Sequence, residues 1–590
     1  MENGRTRGSA PTIKQFFPFP FALFYPATCH EQTGCPGGPI SVIMTPGGLM
    51  KRTILLITVF LFSCFLPAEA ILTVAESSNY TKTSLYEDVM NFLYQVQKKS
   101  DMVKILPLTT SSEGRLVPLV VLSREKVSRP EDLRLAGKQA VLVMANIHAG
   151  EVEGKEASLM LIRDIALGKF AGLLDSQVLL FIPIFNADGN DKLGHNRRDL
   201  GPELAGLRYN GQNLDLNRDY MKLESPEVRA LVDVFNSWDP LLTVDMHTTN
   251  GSFHQEPVTY STQLNPNSDK ALRDTMWQKL FPAVAQALKT VHGYDSVPYG
   301  NFVDRQVPEM GWISEAQEAR YGQNYVGLRN RFSILNENYS YADFRTRVLA
   351  SRAFVASILA YTAKNIGSLA ELARRADRET IARFSSGEFA LESTLEKLFD
   401  LTLKSYEFVK EAIKPEDRAK YPARMGEFII KKTDVPKDYK LPYLSLAVPR
   451  RSLELPAGYV LMPHQPEALA NLNRHGIRVE RILEGFKAEA ENFKISGVET
   501  DKDIFQGHVL NTIKGNYEKA EVDIPSGSYY VSLSQPLARL VPVLLEPEST
   551  DSLAAWGFFN RVIVQQWSNR PGPYPVWRLA QKPPVAMLSE

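Results

Sequence analysis

The sequence predicts an α/β fold with a mixed, largely parallel central sheet flanked by helices, followed by a smaller α+β region. Between about residues 75 and 365, short apolar runs alternate with amphipathic stretches, which is typical of a layered α/β structure. Four of these runs are continuous enough to predict buried strands, at 140–146, 178–184, 241–246 and 332–336.

Two helices of this first region have clear signals. Ser225-Pro226-Glu227 combines a favoured N-cap, a proline at the first helical position and an acidic side chain near the positive helix end. We expect that helix to run to about Trp238. The stretch 343–365 has helical apolar spacing and is predicted to close the first domain against the sheet.

The second half of the chain has a different character. Residues 370–420 predict charged amphipathic helices, and 459–462, 467–473 and 477–482 predict a strand-helix-strand unit. Further strands are predicted at 529–533 and 541–545. Catalytic residue types do not gather there, so we expect a structural or substrate-shaping role.

Composition limits the possible functions. The chain has 590 residues, 44% of them hydrophobic, and its 67 basic and 67 acidic residues give a formal net charge of zero. The length predicts two domains, and the charge balance without a long basic run argues against a nucleic-acid partner.

Residues 50–70 have the three parts of a secretory signal peptide. Lys51 and Arg52 precede an apolar run at 53–66, and Ala68 and Ala70 suit cleavage after residue 70. Residues 1–49 have no targeting pattern and are interpreted as a leader ahead of the true start at Met50. We expect a secreted or periplasmic protein with no stable membrane span after cleavage.

Two alternatives for this segment are a retained anchor and a lipoprotein acylated at Cys64, although Phe62 fits a lipoprotein box poorly. All three cysteines, Cys29, Cys35 and Cys64, precede the predicted cleavage point. The mature chain would therefore have no thiol, which excludes a cysteine nucleophile, a cysteine metal site and disulfides. The predicted division is 1–49 leader, 50–70 signal peptide, 71–368 catalytic domain and 369–590 accessory domain.

Polar side chains follow three of the predicted strands at the point where each ends. His148 and Glu151 follow the first, His247 the third and Glu337 the fourth. Ligands bind at the carboxyl ends of strands in open α/β sheets, so we expect these side chains to converge. Two imidazoles and one carboxylate with an open fourth position form a known catalytic zinc set. The His-Glu-x-x-His helix motif of one class of zinc proteases is absent.

A His-x-x-Glu pair alone arises often by chance, and a lone strand-end histidine is commonly structural. The segment Asn213-Leu214-Asp215-Leu216-Asn217-Arg218-Asp219 changes that balance, because it lies between the two proposed ligand strands. His-x-x-Glu, Asp-x-Asn-Arg, a strand-end His and a late Glu, in this order, resemble the zinc metallocarboxypeptidase family of carboxypeptidase A, in a bacterial-style secreted form. The resemblance covers roughly residues 75–365.

The resemblance implies one Zn²⁺ per chain and a set of residue roles. The metal ligands would be His148, Glu151 and His247, Asp215 would orient His148, and Asn217 and Arg218 would hold the free carboxylate of the substrate. Glu337 would be the general base that takes a proton from the zinc-bound water. Glu315 and Glu318 are rival bases, but neither ends an apolar strand.

The resemblance also implies an arginine for the oxyanion and a tyrosine that covers the substrate. Arg208 is our choice for the oxyanion, ahead of Arg197 and Arg198, since it stands just before the Asp-x-Asn-Arg element. Tyr321 and Tyr325 are both candidates for the covering tyrosine, and Tyr325 is our choice. The other histidines are interpreted as pocket, surface or structural residues: His195, His254, His292, His464, His475 and His508.

The predicted function is therefore hydrolysis of C-terminal peptide bonds in peptides or proteins with a free carboxylate. An N-acyl amino acid deacylase or a peptidoglycan stem-peptide hydrolase on the same scaffold is an alternative, and so is a non-catalytic peptide-binding relative. The His-Ala-Gly-Glu text favours the peptidase over the deacylase, whose usual text is His-Gly-Asn-Glu.

Overall fold

The computed structural model describes residues 70–590 except 196–199, 315, 421–426, 566 and 569. Within it, Ile71–Glu590 form one compact unit. The predicted leader and the predicted signal peptide up to residue 69, including Cys64, lie outside the described residues. Within the described part of the chain, no helix is both long and apolar enough to cross a membrane.

An eight-stranded mixed sheet organises the first half of this unit. The strands of this half are β1 (Val103–Thr110), β2 (Leu116–Leu122), β3 (Gln139–Ala145), β4 (Gln177–Ile182), β5 (Gly194–His195), β6 (Leu204–Ala205), β7 (Leu242–Thr249), β8 (Val258–Ser261), β9 (Ser296–Pro298), β10 (Asn301–Phe302), β11 (Trp312–Ile313) and β12 (Phe332–Tyr339). The sheet order is β1-β2-β4-β3-β7-β12-β8-β9. Its four central strands, β4, β3, β7 and β12, are the four predicted from apolar runs, and they are parallel. The predicted α/β class is confirmed.

Helices cover this sheet. They are α1 (Val74–Ser77), α2 (Tyr86–Lys99), α3 (Pro130–Leu135), α4 (Glu153–Ala166), α5 (Ala187–Asp191), α6 (Pro226–Ser237), α7 (Lys270–Thr275), α8 (Phe281–His292), α9 (Gly322–Leu328) and α10 (Phe344–Arg383). Both predicted helix starts are confirmed: the Ser225 side chain accepts a hydrogen bond from the Val228 amide, and Asp343 accepts one from the Thr346 amide.

The second half is rich in β-structure. Its elements are β13 (Glu388–Ala412), β14 (Phe428–Glu454), β15 (Gly458–Leu461), α11 (Pro466–Arg474), β16 (Glu480–Ile482), β17 (Phe486–Thr500), β18 (Asn511–Ile524), β19 (Tyr529–Ser532), α12 (Leu540–Leu545), α13 (Asn560–Ile563), β20 (Val576–Leu579) and β21 (Met587–Ser589). Strands β13 and β14 join β10 and β11 in one sheet, and β18-β17-β20-β15-β19-β16-β21 form another.

Two predictions for this half are wrong. Residues 370–420 do not form helices throughout, because α10 ends at Arg383 and the long strand β13 begins at Glu388. Much of β13 alternates half-buried and exposed residues, the pattern of a strand with one partly covered face. The run 541–545 is a helix and not a strand, since a short apolar run has no periodicity that separates the two.

The predicted domain boundary at 368/369 falls inside α10, a continuous helix of 40 residues. Strands from the two sides of that boundary also share a sheet, because β11 pairs with β14 through Trp312 and Tyr443. The two halves are thus joined through both a helix and a sheet. Their division into a catalytic and an accessory domain stays a prediction.

Candidate active site

The turn after β3 brings His148 and Glu151 together. Asn146 adopts a left-handed backbone with φ of 65°, and its side-chain Nδ2 donates to the Ala149 carbonyl at 3.2 Å. The Glu151 amide then donates to the His148 carbonyl at 2.9 Å, which closes a tight turn. Both side chains are buried, with exposed fractions of 4% and 5%. The spacing of three residues therefore places an imidazole and a carboxylate side by side just ahead of α4.

His247 completes the cluster from β7. The ligand atoms of His148, Glu151 and His247 all lie within 4.8 Å of one another. The Nδ1 atoms of the two histidines are 3.3 Å apart, and each lies 3.1 Å from one oxygen of Glu151. Donors placed tetrahedrally roughly 2.0–2.1 Å from a zinc ion would be separated by about 3.3 Å. The three side chains therefore fit one small metal ion.

The outer nitrogens of both histidines face carboxylates. His148 Nε2 lies 3.0 Å from Asp215 Oδ1, and His247 Nε2 lies 3.0 Å from Asp245 Oδ2. Such partners fix the ring orientation and direct the other nitrogen, here Nδ1, towards the cluster.

The electrostatics of the cluster also favour a cation. Burial lowers the pKa of His247, but Asp245 and Glu151 outweigh burial and raise it well above its ordinary value. Burial raises the pKa of Asp215, but His148 and the nearby arginines hold it far below its usual range. Buried carboxylates thus remain ionised around two imidazoles, an arrangement that a metal ion neutralises.

Arg208 lies beside this cluster. Its Nε donates to Asp215 Oδ2 at 2.9 Å, and its Nη1 lies 3.6 Å from Glu151 Oε1. The guanidinium remains partly exposed to the cavity, with a side-chain exposure of 39%. Its two competitors, Arg197 and Arg198, lie outside the described residues, as does the rival base Glu315.

A cavity of about 380 Å³ opens over the cluster, and most of the predicted site residues line it. Asn217 and Arg218 come from a short 3₁₀ segment (Leu216–Arg218) that follows Asp215. The Asn217 side-chain oxygen accepts from the Gly322 amide at 2.9 Å. The Arg218 guanidinium lies 4.0 Å from the centre of the Tyr321 ring. Glu337 lines the same cavity, whereas Glu318 is not among its walls.

The structure contradicts the placement of Tyr325 in this cavity. Tyr325 is fully buried, its hydroxyl lies 2.9 Å from His475 Nδ1, and it does not line the cavity. Tyr321, at the N-cap of that helix, lines the cavity instead. The two tyrosines are four residues apart, so the sequence pattern alone does not separate them.

Other cavity residues carry no motif and were missed by sequence reasoning: Thr248, Thr249, Asn250, Tyr299, Ala316, Gln323 and Leu335. Thr248, Thr249 and Asn250 directly follow His247, and Leu335 stands two residues before Glu337. Proximity to those residues was the only signal available for them.

Comparison with known proteins agrees with this site. Residues 89–325 match the family model described as zinc carboxypeptidase, a match that ends before Glu337. Carboxypeptidase 2 of Trichophyton equinum is 25% identical over 491 residues, which cover 80% of this chain and 81% of that protein. Carboxypeptidase 2 of Trichophyton tonsurans is 25% identical over 469 residues, covering 76% and 78%.

Among solved structures, a metallo-carboxypeptidase from Burkholderia cenocepacia is similar over 47% of this chain and 69% of that one, with 19% identity and a TM-score of 0.36. A likeness of that size has no bearing on substrate or mechanism. The family model and the sequence relatives agree with a buried cluster that can hold a metal. Residues 89–325 therefore match a zinc carboxypeptidase domain, and the comparisons together with the buried cluster support a zinc metallopeptidase.

Proposed function

We propose that this chain is an exported zinc metallocarboxypeptidase that hydrolyses the C-terminal peptide bond of peptides or proteins with a free carboxylate. The observation that carries the proposal is the joint placement, in one cavity, of the metal-binding cluster, the Asn217–Arg218 pair and Glu337. A planar guanidinium is suited to bidentate binding of a carboxylate.

One Zn²⁺ would be held by His148, Glu151 and His247. When bound, zinc polarises the scissile carbonyl and lowers the pKa of a water molecule towards about 7. Asp215 and Asp245 would keep the two imidazoles in the orientation that the metal requires.

Glu337 would act as the general base. It stands beside His247 on the neighbouring strand and faces the cavity, so it can take a proton from the attacking water and deliver it to the leaving amine. Arg208 would stabilise the oxyanion, because its guanidinium is fixed by Asp215 and points past Glu151 into the same space.

The remaining assignments follow from sequence. Residues 50–70 would direct export to a secreted or periplasmic location, and 369–590 would support or shape the catalytic region. The contacts that cross between the two halves favour a supporting role for the second half.

The decisive experiment combines metal analysis with digestion of paired peptides that are identical except for a free or amidated C-terminus. We expect one zinc per chain and cleavage of the free peptide alone. Equal cleavage of both peptides would refute a carboxypeptidase and indicate an endopeptidase. N-acyl amino acids and a peptidoglycan stem peptide complete the panel, because each presents a free carboxylate. Faster turnover of either would assign the site to that substrate class.

A further inference from the structure

A turn from the second half of the chain reaches the residue that orients His148. The loop between β17 and β18 contains Gln506, whose side-chain oxygen accepts a hydrogen bond from the Asp215 amide at 2.9 Å. The two residues are 291 positions apart. We propose that Gln506 is a positioning residue of the catalytic site, an inference that rests on the function proposed above.

Asp215 is the point where the separate parts of the site meet. Its Oδ1 lies 3.0 Å from His148 Nε2 and also accepts from the Asn217 amide at 3.0 Å, while its Oδ2 accepts from Arg208. One carboxylate thus orients a metal ligand, an oxyanion arginine and the start of the carboxylate-binding segment. Any rotation of the Asp215 backbone would move all three, so the bond to its amide controls the geometry of the whole site.

The backbone of Gln506 gives a second, independent reason to assign it a role. Phe505 and His508 exchange backbone hydrogen bonds at 2.8 and 3.0 Å, and the two residues between them have positive φ, 54° at Gln506 and 79° at Gly507. Turns of this kind favour Asn-Gly, because asparagine tolerates the left-handed region better than most residues. Glutamine is not the residue that the turn itself selects, whereas its longer side chain is what reaches Asp215.

The turn is also held firmly against the catalytic half. His508 Nε2 lies 2.6 Å from Glu224 Oε1, nine residues beyond Asp215. The Arg320 guanidinium lies 5.4 Å from the ring centres of both Phe505 and Trp556, and it pairs with Asp551 at 2.9 Å. Arg320 directly precedes Tyr321. Contacts of Phe505 and His508, the two residues that flank the turn, therefore hold Gln506 against the catalytic half.

The test uses two variants of the full chain that preserve the turn but remove the hydrogen bond from the Asp215 amide to the Gln506 side chain. Gln506→Asn and Gln506→Gly both suit a positive φ, but asparagine is one methylene shorter and glycine has no side chain. Removing an outer partner of a metal site commonly weakens metal affinity or activity about 10- to 100-fold. For both variants we expect at least about a 10-fold loss of zinc affinity, measured by competition with a chelator, and of kcat/KM. A cooperative thermal unfolding transition in chelator shows that each variant still folds.

Lys502→Ala is the matched control, since Lys502 is exposed on the same loop. It should behave as the wild type. Wild-type zinc affinity and kcat/KM in both Gln506 variants would overturn the proposal. If the wild type cleaves no peptide with a free C-terminus, the proposed function fails, but the zinc affinities still decide the role of Gln506.

Discussion

Glu337 and His247 lie directly opposite each other on the neighbouring parallel strands β12 and β7. Residues paired in this way project from the same face of a sheet, so the carboxylate of Glu337 and the imidazole of His247 share one cavity. The side-chain Nδ2 of Asn338 also donates to the His247 carbonyl at 3.1 Å, which fixes the two strand ends against each other. The strand register alone thus places a candidate base next to a candidate metal ligand.

Glu337→Gln should abolish hydrolysis without removing the metal. Glutamine keeps the shape of the side chain but cannot accept the proton, and general bases typically contribute about 10²–10⁴-fold. Turnover of a peptide with a free C-terminus and zinc content by metal analysis are the two measurements. Unchanged turnover would show that another group is the base, and lost zinc would move Glu337 into the metal set.

Asp215→Asn and Asp245→Asn form a matched pair. Each variant removes the charge that orients one imidazole, so each should weaken zinc binding by about 10- to 100-fold. Only Asp215 also holds Arg208, through contacts at 2.9 and 2.8 Å. At saturating zinc, Asp215→Asn should therefore retain a deficit in kcat that Asp245→Asn lacks. Equal kcat values for the two zinc-loaded variants would contradict the oxyanion role of Arg208.

The two tyrosines that sequence reasoning could not separate should respond differently to substitution. Tyr321→Ala removes the ring under Arg218, and cation–π contacts of roughly 0.5–2 kcal/mol correspond to about 2- to 30-fold in KM for substrates with a free carboxylate. Tyr325→Phe removes a buried hydroxyl bonded to His475 and should cost about 1–3 kcal/mol of unfolding free energy. Steady-state kinetics and chemical denaturation separate the two effects. A raised KM in Tyr325→Phe, with an unchanged KM in Tyr321→Ala, would instead support Tyr325 as the tyrosine that covers the substrate.

His475 should make the stability depend on pH. Burial lowers the pKa of His475 from 6.5 to about 3 and outweighs the hydrogen bond to the Met221 carbonyl, which raises it. Below about pH 6.5 the unfolded chain binds a proton at His475, whereas the folded chain keeps the ring neutral down to about pH 3. The free energy of unfolding therefore falls as the pH drops from 6.5 towards 3, by up to about 1.4 kcal/mol per pH unit. The measurement is the free energy of unfolding of the wild type and of His475→Gln as a function of pH, both in chelator. The stability advantage of the wild type over the variant should shrink as the pH falls, and a constant difference would contradict the lowered pKa of His475.

Sequence reasoning predicted the central strands and the buried cluster that could hold a metal because their signals are local. Apolar runs mark β3, β4, β7 and β12, and the candidate ligands His148, Glu151 and His247 lie at or just beyond the predicted strand ends. The role inferred for Gln506 could not be predicted in that way, since its partner Asp215 is 291 residues distant and no motif links the two. The choice between Tyr321 and Tyr325 depended on which side of α9 faces the cavity, and this is set by packing against His475.

Gln323 should influence which C-terminal residue the enzyme prefers. Its side chain lines the catalytic cavity at 4% exposure. A neutral polar side chain of the substrate, such as that of asparagine or glutamine, can exchange hydrogen bonds with the side-chain amide of Gln323, whereas an apolar side chain cannot.

We therefore expect the wild type to favour C-terminal asparagine or glutamine over leucine, and Gln323→Leu to reverse the order. A change of roughly 10- to 100-fold in the ratio of the two kcat/KM values is the size that a buried polar contact provides. The measurement uses peptides that differ only in the last residue. Asn250→Ala is the comparison variant, since it alters the same cavity wall without touching Gln323. The same ratio in wild type and Gln323→Leu would place the specificity elsewhere in the cavity, and a reversal in both variants would show that cavity polarity acts without Gln323 itself.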